Sequence, residues 1–182
     1  MLSIRAANIA DVRAIAQVDV ETWRSTYAGV LPDQLLIGLS ERQRAGVWSR
    51  FIMRRPGDTV AAVDEQGVIL GFGSCGAQRD PDLLYSGEVF SLYVSPDHQG
   101  LGVGRQLLLA LFARLIRCGL YSAVVWVLAE NPARFFYERV GGRAVARRRI
   151  DMAQNQVDAI AYAWPDLPDA IRKRAQANSR IE

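Results

Sequence analysis

A glycine-rich segment stands directly before the most regular helical pattern in the chain. An apolar run that ends at Val94 precedes it. The segment reads Gln99-Gly100-Leu101-Gly102-Val103-Gly104-Arg105. Glycines let the backbone approach a ligand closely, and amide N–H groups at a helix N-terminus favour an anion. The segment is therefore a candidate seat for a pyrophosphate.

Three phosphate-binding patterns can be compared with this segment. The dinucleotide fingerprint Gly-x-Gly-x-x-Gly fits at Gly100 and Gly102, but Arg105 stands in place of its third glycine. The Walker sequence Gly-Lys-Ser/Thr is absent. The pattern Gln-x-x-Gly-x-Gly is met by Gln99, Gly102 and Gly104. A glycine-rich turn that binds no ligand stays open as the alternative.

Two further residues have side chains suited to proton transfer. Glu88 is the only charged residue in the apolar run 87–94. A carboxylate is costly to ionise when it is buried, which suits a general base near neutral pH. The alternative is a carboxylate at the rim of the core that an arginine holds. His98, the single histidine, lies beside the glycine-rich segment and is the weaker candidate.

The elements that must position these residues follow from apolar spacing and capping signals. Asn8 and Ser40 are predicted to cap two early helices, and Asn131 a short later one. Residues 103–116 form a strongly amphipathic helix pattern, with Gly119 as its stop. The predicted strands cover residues 3–6, 59–63, 68–76, 87–94, 122–128, 143–150 and 157–164. This order indicates a mixed α/β or α+β layer structure.

Composition excludes several functional classes. The chain has 182 residues, a formal net charge of +3, two cysteines and one histidine. We expect no metal, because no Cys/His spacing fits a metal site. We expect a cytoplasmic location and no membrane partner, because signal-peptide and membrane-spanning patterns are absent. We expect no nucleic-acid partner, because the charges form no basic stripe.

The glycine-rich segment and two further motifs resemble the GNAT superfamily of acyl-CoA-dependent N-acetyltransferases. Residues 92–104 are similar to the family's signature strand, loop and helix. Residues 130–142 resemble its Asn-x-x-Ala helix that ends in Phe-Tyr-x-x-x-Gly, and residues 4–27 resemble the opening of many members. The resemblance covers nearly the whole chain, from residue 4 to about 167. It departs at Gly142, where many members have an aromatic residue.

The resemblance implies an α/β (α+β) fold. Its central sheet would be mixed and mostly antiparallel, with six to seven strands, flanking helices and a splay between the fourth and fifth strands. It also implies a single N-acetyltransferase domain over residues 1–167, followed by a polar tail over residues 168–182. Family members often pair through their C-terminal strands, so we expect a homodimer. Apolar surface for it would come from Val145, Ile150, Val157, Ile160 and Tyr162.

The resemblance implies acetyl-CoA as co-substrate and direct attack of an amine on its thioester. Backbone N–H groups of residues 99–105 would grip the pyrophosphate. The backbone of Leu92, Tyr93 and Val94 would bond the pantetheine like an added strand. A kink near Ser91 would open a slot for the thioester, and an N–H near Leu92 or Tyr93 would face its carbonyl oxygen.

Several side chains receive roles through the same resemblance. Asn131 would anchor pantetheine, and Arg134 of the same motif would also lie at the cofactor. Tyr137 would protonate the departing thiolate, with a packing role as its alternative. Trp23 and Tyr27 would line the acceptor pocket, unless they serve only the core.

We therefore predict an N-acetyltransferase whose acceptor is a primary amine of an unidentified small molecule or peptide. In many relatives an acidic residue at the position of Glu88 acts as a base through water. The presence of Glu88 together with Tyr137 favours catalysis over the alternative, a non-catalytic acyl-CoA-binding regulatory domain with the same fold. A nucleotide-binding oxidoreductase is disfavoured, because Arg105 replaces the third glycine.

Overall fold

The computed structural model describes residues 2–152 and 155–178. Within them, the strands are β1 (Ser3–Ala6), β2 (Thr59–Val63), β3 (Ile69–Ala77), β4 (Gly87–Val94), β5 (Ala123–Leu128), β6 (Arg143–Met152) and β7 (Asn155–Trp164). The helices are α1 (Val12–Thr26), α2 (Asp33–Ile37), α3 (Glu41–Arg54), α4 (Val103–Arg117), α5 (Ala133–Arg139) and α6 (Leu167–Asn178). The predicted strands are confirmed, whereas the short helix α2 was not predicted.

Side-chain caps start the helices where the sequence predicts them. The Asn8 side chain accepts a hydrogen bond from the amide of Ala10 at 2.9 Å, at a 3-10 turn that leads into α1. The Ser40 hydroxyl accepts one from the amide of Gln43 at 3.4 Å at the start of α3. The Asn131 side chain accepts one from the first residue of α5 at 2.8 Å. These bonds satisfy amide groups that have no partner within their own helix.

The strands form a seven-stranded sheet in the order β1-β2-β3-β4-β5-β7-β6. Strands β4 and β5 pair in parallel, whereas β1–β2, β2–β3, β5–β7 and β6–β7 pair antiparallel. The parallel register runs from Gly87 opposite Ala123 to Val89 opposite Val125, and both strands continue beyond it. The mixed, mostly antiparallel sheet is therefore confirmed.

The chain divides into two compact units, of which unit 1 comprises Met1–Ser74 and Ser91–Leu111. Its core joins apolar residues of α1 and α3 to the strands β2 and β3. Gly71 and Gly73 let β3 approach its neighbours closely. A Cβ at Gly71 would lie 2.7 Å from the carbonyl oxygen of Tyr93, and one at Gly73 would lie 2.7 Å from Leu111 Cδ1. Side chains at these two positions would therefore separate the strand from its neighbours.

Unit 2 comprises Cys75–Phe90 and Phe112–Glu182, and the buried indole of Trp164 organises its packing. The Trp164 ring lies 5.1 Å from the Phe112 ring and 6.2 Å from the Tyr137 ring, between centroids. A Cβ at Gly142 would lie 2.8 Å from the indole and 2.9 Å from the carbonyl oxygen of Tyr137. Trp164 therefore fills the space beside Gly142, so a side chain at this position would collide with the indole.

Helix α6 occupies much of the segment expected to be a polar tail. Leu167, its first residue, is fully buried, and its amide donates to the carbonyl oxygen of Tyr121 at 2.8 Å. Residues 179–182 lie outside the described residues. Within the described part of the chain, every helix is too short or too polar to cross a membrane. The assignment of residues 1–167 to a single domain stays a prediction.

We predict that Gly142→Ala lowers the free energy of unfolding by about 1–3 kcal/mol, the usual cost of overpacking. The added Cβ would lie 2.8 Å from the Trp164 ring, so the indole or the backbone must move. Urea denaturation measures the effect. The control is Gly46→Ala in α3, where the nearest atom to the added Cβ is 3.7 Å away. This variant should gain up to about 1 kcal/mol from helix propensity. Equal stability of the two variants would contradict the packing of Trp164.

Candidate functional site

The glycine-rich segment forms the loop that leads from β4 into α4 in unit 1. Gly100 and Gly102 have φ angles of +77° and +83°, a region that favours glycine. A Cβ at either position would meet no atom within 4 Å, so backbone conformation, not crowding, requires these glycines. The side-chain amide of Gln99 donates a hydrogen bond to the carbonyl oxygen of Val94 at 3.1 Å and ties the loop to the end of β4. Because α4 begins at Val103, the loop lies at the positive end of a helix dipole and can hold an anion.

The end of β4 carries a second group of predicted site residues in unit 1. The Ser91 hydroxyl lies 2.6 Å from the Ser74 hydroxyl in a buried position. The Tyr93 hydroxyl accepts a hydrogen bond from Trp23 Nε1 at 3.1 Å. Trp23 and Tyr27 pack with ring centroids 5.0 Å apart. The structure therefore brings Trp23, Tyr27 and Tyr93 together, with Trp23 half-buried and Tyr27 buried. Leu92, between Ser91 and Tyr93, is half-buried.

A buried carboxylate in α1 was missed by the sequence analysis. Asp19 is fully buried, and its Oδ2 accepts hydrogen bonds from Trp48 Nε1 at 2.7 Å and Arg44 Nε at 2.6 Å. Its Oδ1 has no hydrogen-bond partner among the described residues. Burial raises the pKa of Asp19, and the bonds from Trp48 and Arg44 oppose that shift. The available signal was its spacing, because Asp19 follows Ala16 by three residues on the apolar face of the helix.

Glu88 lies in unit 2 and is held by an arginine. The Glu88 side chain is 5% exposed. Its Oε1 accepts from Arg79 Nη2 at 2.6 Å, and its Oε2 accepts from Arg79 Nε at 3.0 Å. The hydrogen bond to Glu88 raises the pKa of Arg79, whose guanidinium also lies 4.3 Å from the Phe90 ring centroid. An arginine partner, one of the two alternatives drawn from the sequence, is confirmed, but the carboxylate is buried and not at a rim.

Glu88 is both buried and paired, because Arg79 donates a hydrogen bond to each of its oxygens. The sequence analysis considered burial as the basis for a general base and did not identify Arg79. A proton can reach Glu88 only where Arg79 leaves an oxygen lone pair accessible.

The remaining predicted residues lie on or beside α5 in unit 2. The side-chain oxygen of Asn131 is committed to the start of this helix. The Arg134 guanidinium stacks on the Phe135 ring at 4.0 Å from its centroid. Tyr137 is 5% exposed, and its ring packs against those of Tyr162 and Trp164. The motif 130–142 therefore places Asn131, Arg134 and Tyr137 on one short helical segment.

His98, the single histidine of the chain, lies close to the glycine-rich loop in sequence. His98 is half-buried at the end of a 3-10 turn that follows β4. Its Nδ1 atom is buried and has no partner among the described residues. Among all the residues that the structure describes, no group of three His, Cys, Asp or Glu side chains is arranged to hold a metal ion.

A family comparison now decides the class of protein. The model described as the Acetyltransferase (GNAT) family matches residues 19–142, which include the glycine-rich loop and the whole motif 130–142 around α5. The chain belongs to the GNAT acetyltransferase family. This GNAT chain is accordingly an acyltransferase.

Individual relatives match this GNAT chain over nearly its whole length. The uncharacterized N-acetyltransferase YuaI of Bacillus subtilis is 31% identical, with 92% of this chain and 95% of the relative covered. The L-amino acid N-acyltransferase MnaT of Escherichia coli is 33% identical, with 91% and 90% covered. The acetyltransferase yncA of Salmonella typhimurium, solved with its cofactor acetyl-CoA, is 25% identical at a TM-score of 0.69, with 91% of this chain and 94% of that chain covered.

Proposed function

We propose that this GNAT chain transfers an acetyl group from acetyl-CoA to a primary amine of a small molecule or peptide by direct attack. The observation that carries the proposal is the loop between β4 and α4. Its positive-φ glycines and its place at a helix N-terminus suit a pyrophosphate. Acetyl-CoA is the ligand of the yncA structure, which is similar over 91% of this chain.

The proposed cofactor contacts use backbone groups in unit 1 and side chains in unit 2. In unit 1, residues 99–105 would donate amide hydrogen bonds to the pyrophosphate, and residues 92–94 would pair with pantetheine. The bond from Gln99 to Val94 supports this arrangement, because it holds the loop against the strand. In unit 2, Asn131 and Arg134 would contact the cofactor from the start of α5.

For the acceptor, we propose an amino acid as the first candidate. MnaT, which matches over 90% of its own length, is named for L-amino acid acceptors. In unit 1, Ser91, Trp23 and Tyr27 are the proposed acceptor contacts. The hydrogen bond from Trp23 to Tyr93 fixes the indole beside β4, which is the property that a binding wall needs. A peptide amine is the other candidate for the acceptor.

We propose Tyr137 as the acid that protonates the departing thiolate. A positioned hydroxyl donor is what the leaving thiolate requires. We propose Glu88 as the group that receives the proton of the amine. Its two hydrogen bonds from Arg79 fix the position of the carboxylate.

A non-catalytic acyl-CoA-binding domain is the alternative function. It shares the loop and the fold, and it requires neither Tyr137 nor Glu88. Thiol release from acetyl-CoA in the presence of single amino acids separates the two functions. Release that depends on the amine supports transfer, and tight binding without release supports the alternative.

The cytoplasmic location expected from the sequence stays a prediction.

We predict that Gly102→Glu abolishes the rise in melting temperature that acetyl-CoA gives the wild type. The new carboxylate would occupy the position proposed for the pyrophosphate and would repel it. The control is Gly67→Glu, because Gly67 has a φ of +85° and Gly102 one of +83°, and a Cβ at either meets nothing within 4 Å. The two substitutions thus share their strain and added charge. Thermal unfolding with acetyl-CoA, ATP or NADH measures the shift. A normal shift in Gly102→Glu would show that the loop assignment is wrong.

We predict that Tyr137→Phe lowers kcat while the KM for acetyl-CoA stays nearly unchanged. Loss of the hydroxyl should cost roughly 10²–10⁴-fold in rate, the usual span for general acid catalysis. This span corresponds to about 3–5 kcal/mol of transition-state stabilisation. Ring packing should survive, so the fold should survive too. The measurement is steady-state thiol release with the best amino acid acceptor. More than about a third of wild-type turnover, with chemistry rate-limiting, would remove the acid assignment.

The same assay separates Glu88 from Tyr137 through the pH profile. The acid limb of the profile should persist in Tyr137→Phe and flatten in Glu88→Gln. Arg79→Gln is the matched control, since it breaks the same ion pair but keeps the carboxylate, so the limb should remain. If Glu88→Gln and Arg79→Gln lose stability alike and both keep the limb, Glu88 is only the partner of Arg79.

We predict a homodimer that forms through the C-terminal strands. Val145 is 42% exposed, and Ile150 and Val157 are half-buried. Ile160 and Tyr162 are buried within the chain itself, so they cannot supply the surface expected of them. Sedimentation velocity at micromolar concentration should show a dimer that Val145→Glu dissociates. A wild-type sample that sediments only as a monomer would contradict the prediction.

A further inference from the structure

The ring of Tyr137 lies in a cluster of aromatic side chains in unit 2. The Tyr162 ring stacks on it at an interplanar angle of 29°, with centroids 6.1 Å apart. The Trp164 ring meets it edge-on at 73° and 6.2 Å, and the Phe136 ring lies 5.2 Å away. Aromatic pairs prefer these offset and edge-on geometries. The position of the Tyr137 phenol therefore depends on where its neighbours hold the ring.

Tyr162 is itself held by a hydrogen bond. Its side chain is buried, and its hydroxyl donates to Glu138 Oε1 at 2.7 Å. Burial, and next the bond to Glu138, raise the pKa of Tyr162, and a hydrogen bond with Arg134 opposes that shift.

The two partners of this bond come from elements with different constraints. Tyr162 lies within β7, where it pairs with Val125 of β5 on one side and Ala144 of β6 on the other. Glu138 is on the short helix α5, directly after Tyr137. The bond therefore ties the helix that carries Tyr137 to the interior of the sheet. The Tyr162 ring also stacks on Tyr137, so two contacts from one residue fix the phenol.

We propose that the Tyr162–Glu138 hydrogen bond is a positioning pair for Tyr137, which sets the phenol in place to protonate the leaving thiolate. This inference rests on the proposed acid role of Tyr137. A pure packing role for Tyr162 would need only its ring, and phenylalanine would serve as well. A positioning role needs the Tyr162 hydroxyl and an acceptor at residue 138, because stacking alone would let the Tyr162 ring slide and rotate over the Tyr137 ring.

The experiment combines five single variants, one of which is Tyr137→Phe, with one double variant. Tyr162→Phe and Glu138→Ala should each lower kcat by about 3- to 30-fold, which lies within the range of coupling between contacting residues, with an unchanged KM for acetyl-CoA. Glu138→Gln keeps an acceptor oxygen and should stay near wild type. Tyr121→Phe, at an exposed tyrosine of the same unit, is the control and should not change kcat. In the Tyr137→Phe background, Tyr162→Phe should cause no further loss.

A second measurement needs no acceptor amine. The ring-flip rate of Tyr137, measured by NMR on protein with labelled tyrosine, should rise in Tyr162→Phe and Glu138→Ala. It should not rise in Glu138→Gln or Tyr121→Phe. Wild-type kcat in Tyr162→Phe, or an unchanged ring-flip rate, would overturn the inference.

The double variant distinguishes failure of this inference from failure of the proposed function. If Tyr162→Phe causes the same fold loss with and without the Tyr137 hydroxyl, its effect does not act through Tyr137 and the positioning role is wrong. If Tyr137→Phe alone keeps wild-type turnover, the acid role itself is wrong. Tyr137→Phe alone therefore tests the acid role, and the double-mutant cycle tests the positioning role.

Discussion

Burial of the Trp164 indole is the constraint around which the packing of unit 2 is arranged. Among the described residues, it is the largest fully buried side chain. Its ring contacts Phe112 and Tyr137, and its Nε1 donates to the carbonyl oxygen of Val140 at 3.2 Å. Any side chain at Gly142 would collide with it. The position of α5, and with it that of Tyr137, therefore depends on a tryptophan that belongs to none of the motifs that resemble the family.

Each unit also holds, in its interior, a carboxylate that receives hydrogen bonds from an arginine. In unit 1, Asp19 receives hydrogen bonds from Arg44 and Trp48. In unit 2, both oxygens of Glu88 receive hydrogen bonds from Arg79. A buried charge without a partner is costly, and removing one member of such a pair leaves the other uncompensated. Arg44 and Arg79 are therefore needed to keep these two carboxylates in the interior of their units.

The sequence predicted local structure well and tertiary partners poorly. Apolar spacing and capping residues are local signals, so the bounds of β4 and the caps at Asn8 and Ser40 are confirmed. Helix α2 was missed because five residues are too few to show a helical period. The partner of Glu88 was missed because no pattern pairs it with Arg79. Tyr162 was assigned to a dimer surface because alternation along a strand does not tell which face packs against a helix of the same chain.

This difference separates binding from catalysis in the proposed site. The proposed pyrophosphate site depends on backbone angles at Gly100 and Gly102, so residue types and spacing are enough to predict it. In the proposed mechanism, proton transfer depends on one phenol held at the right place, and a displacement of about 1 Å can cost about 10²-fold in rate. If this mechanism holds, a chain with the same glycines but without the packing around Tyr137 would keep its cofactor affinity and lose rapid transfer. The aromatic cluster, more than the glycine-rich loop, would then distinguish an enzyme from a binding domain of the same fold.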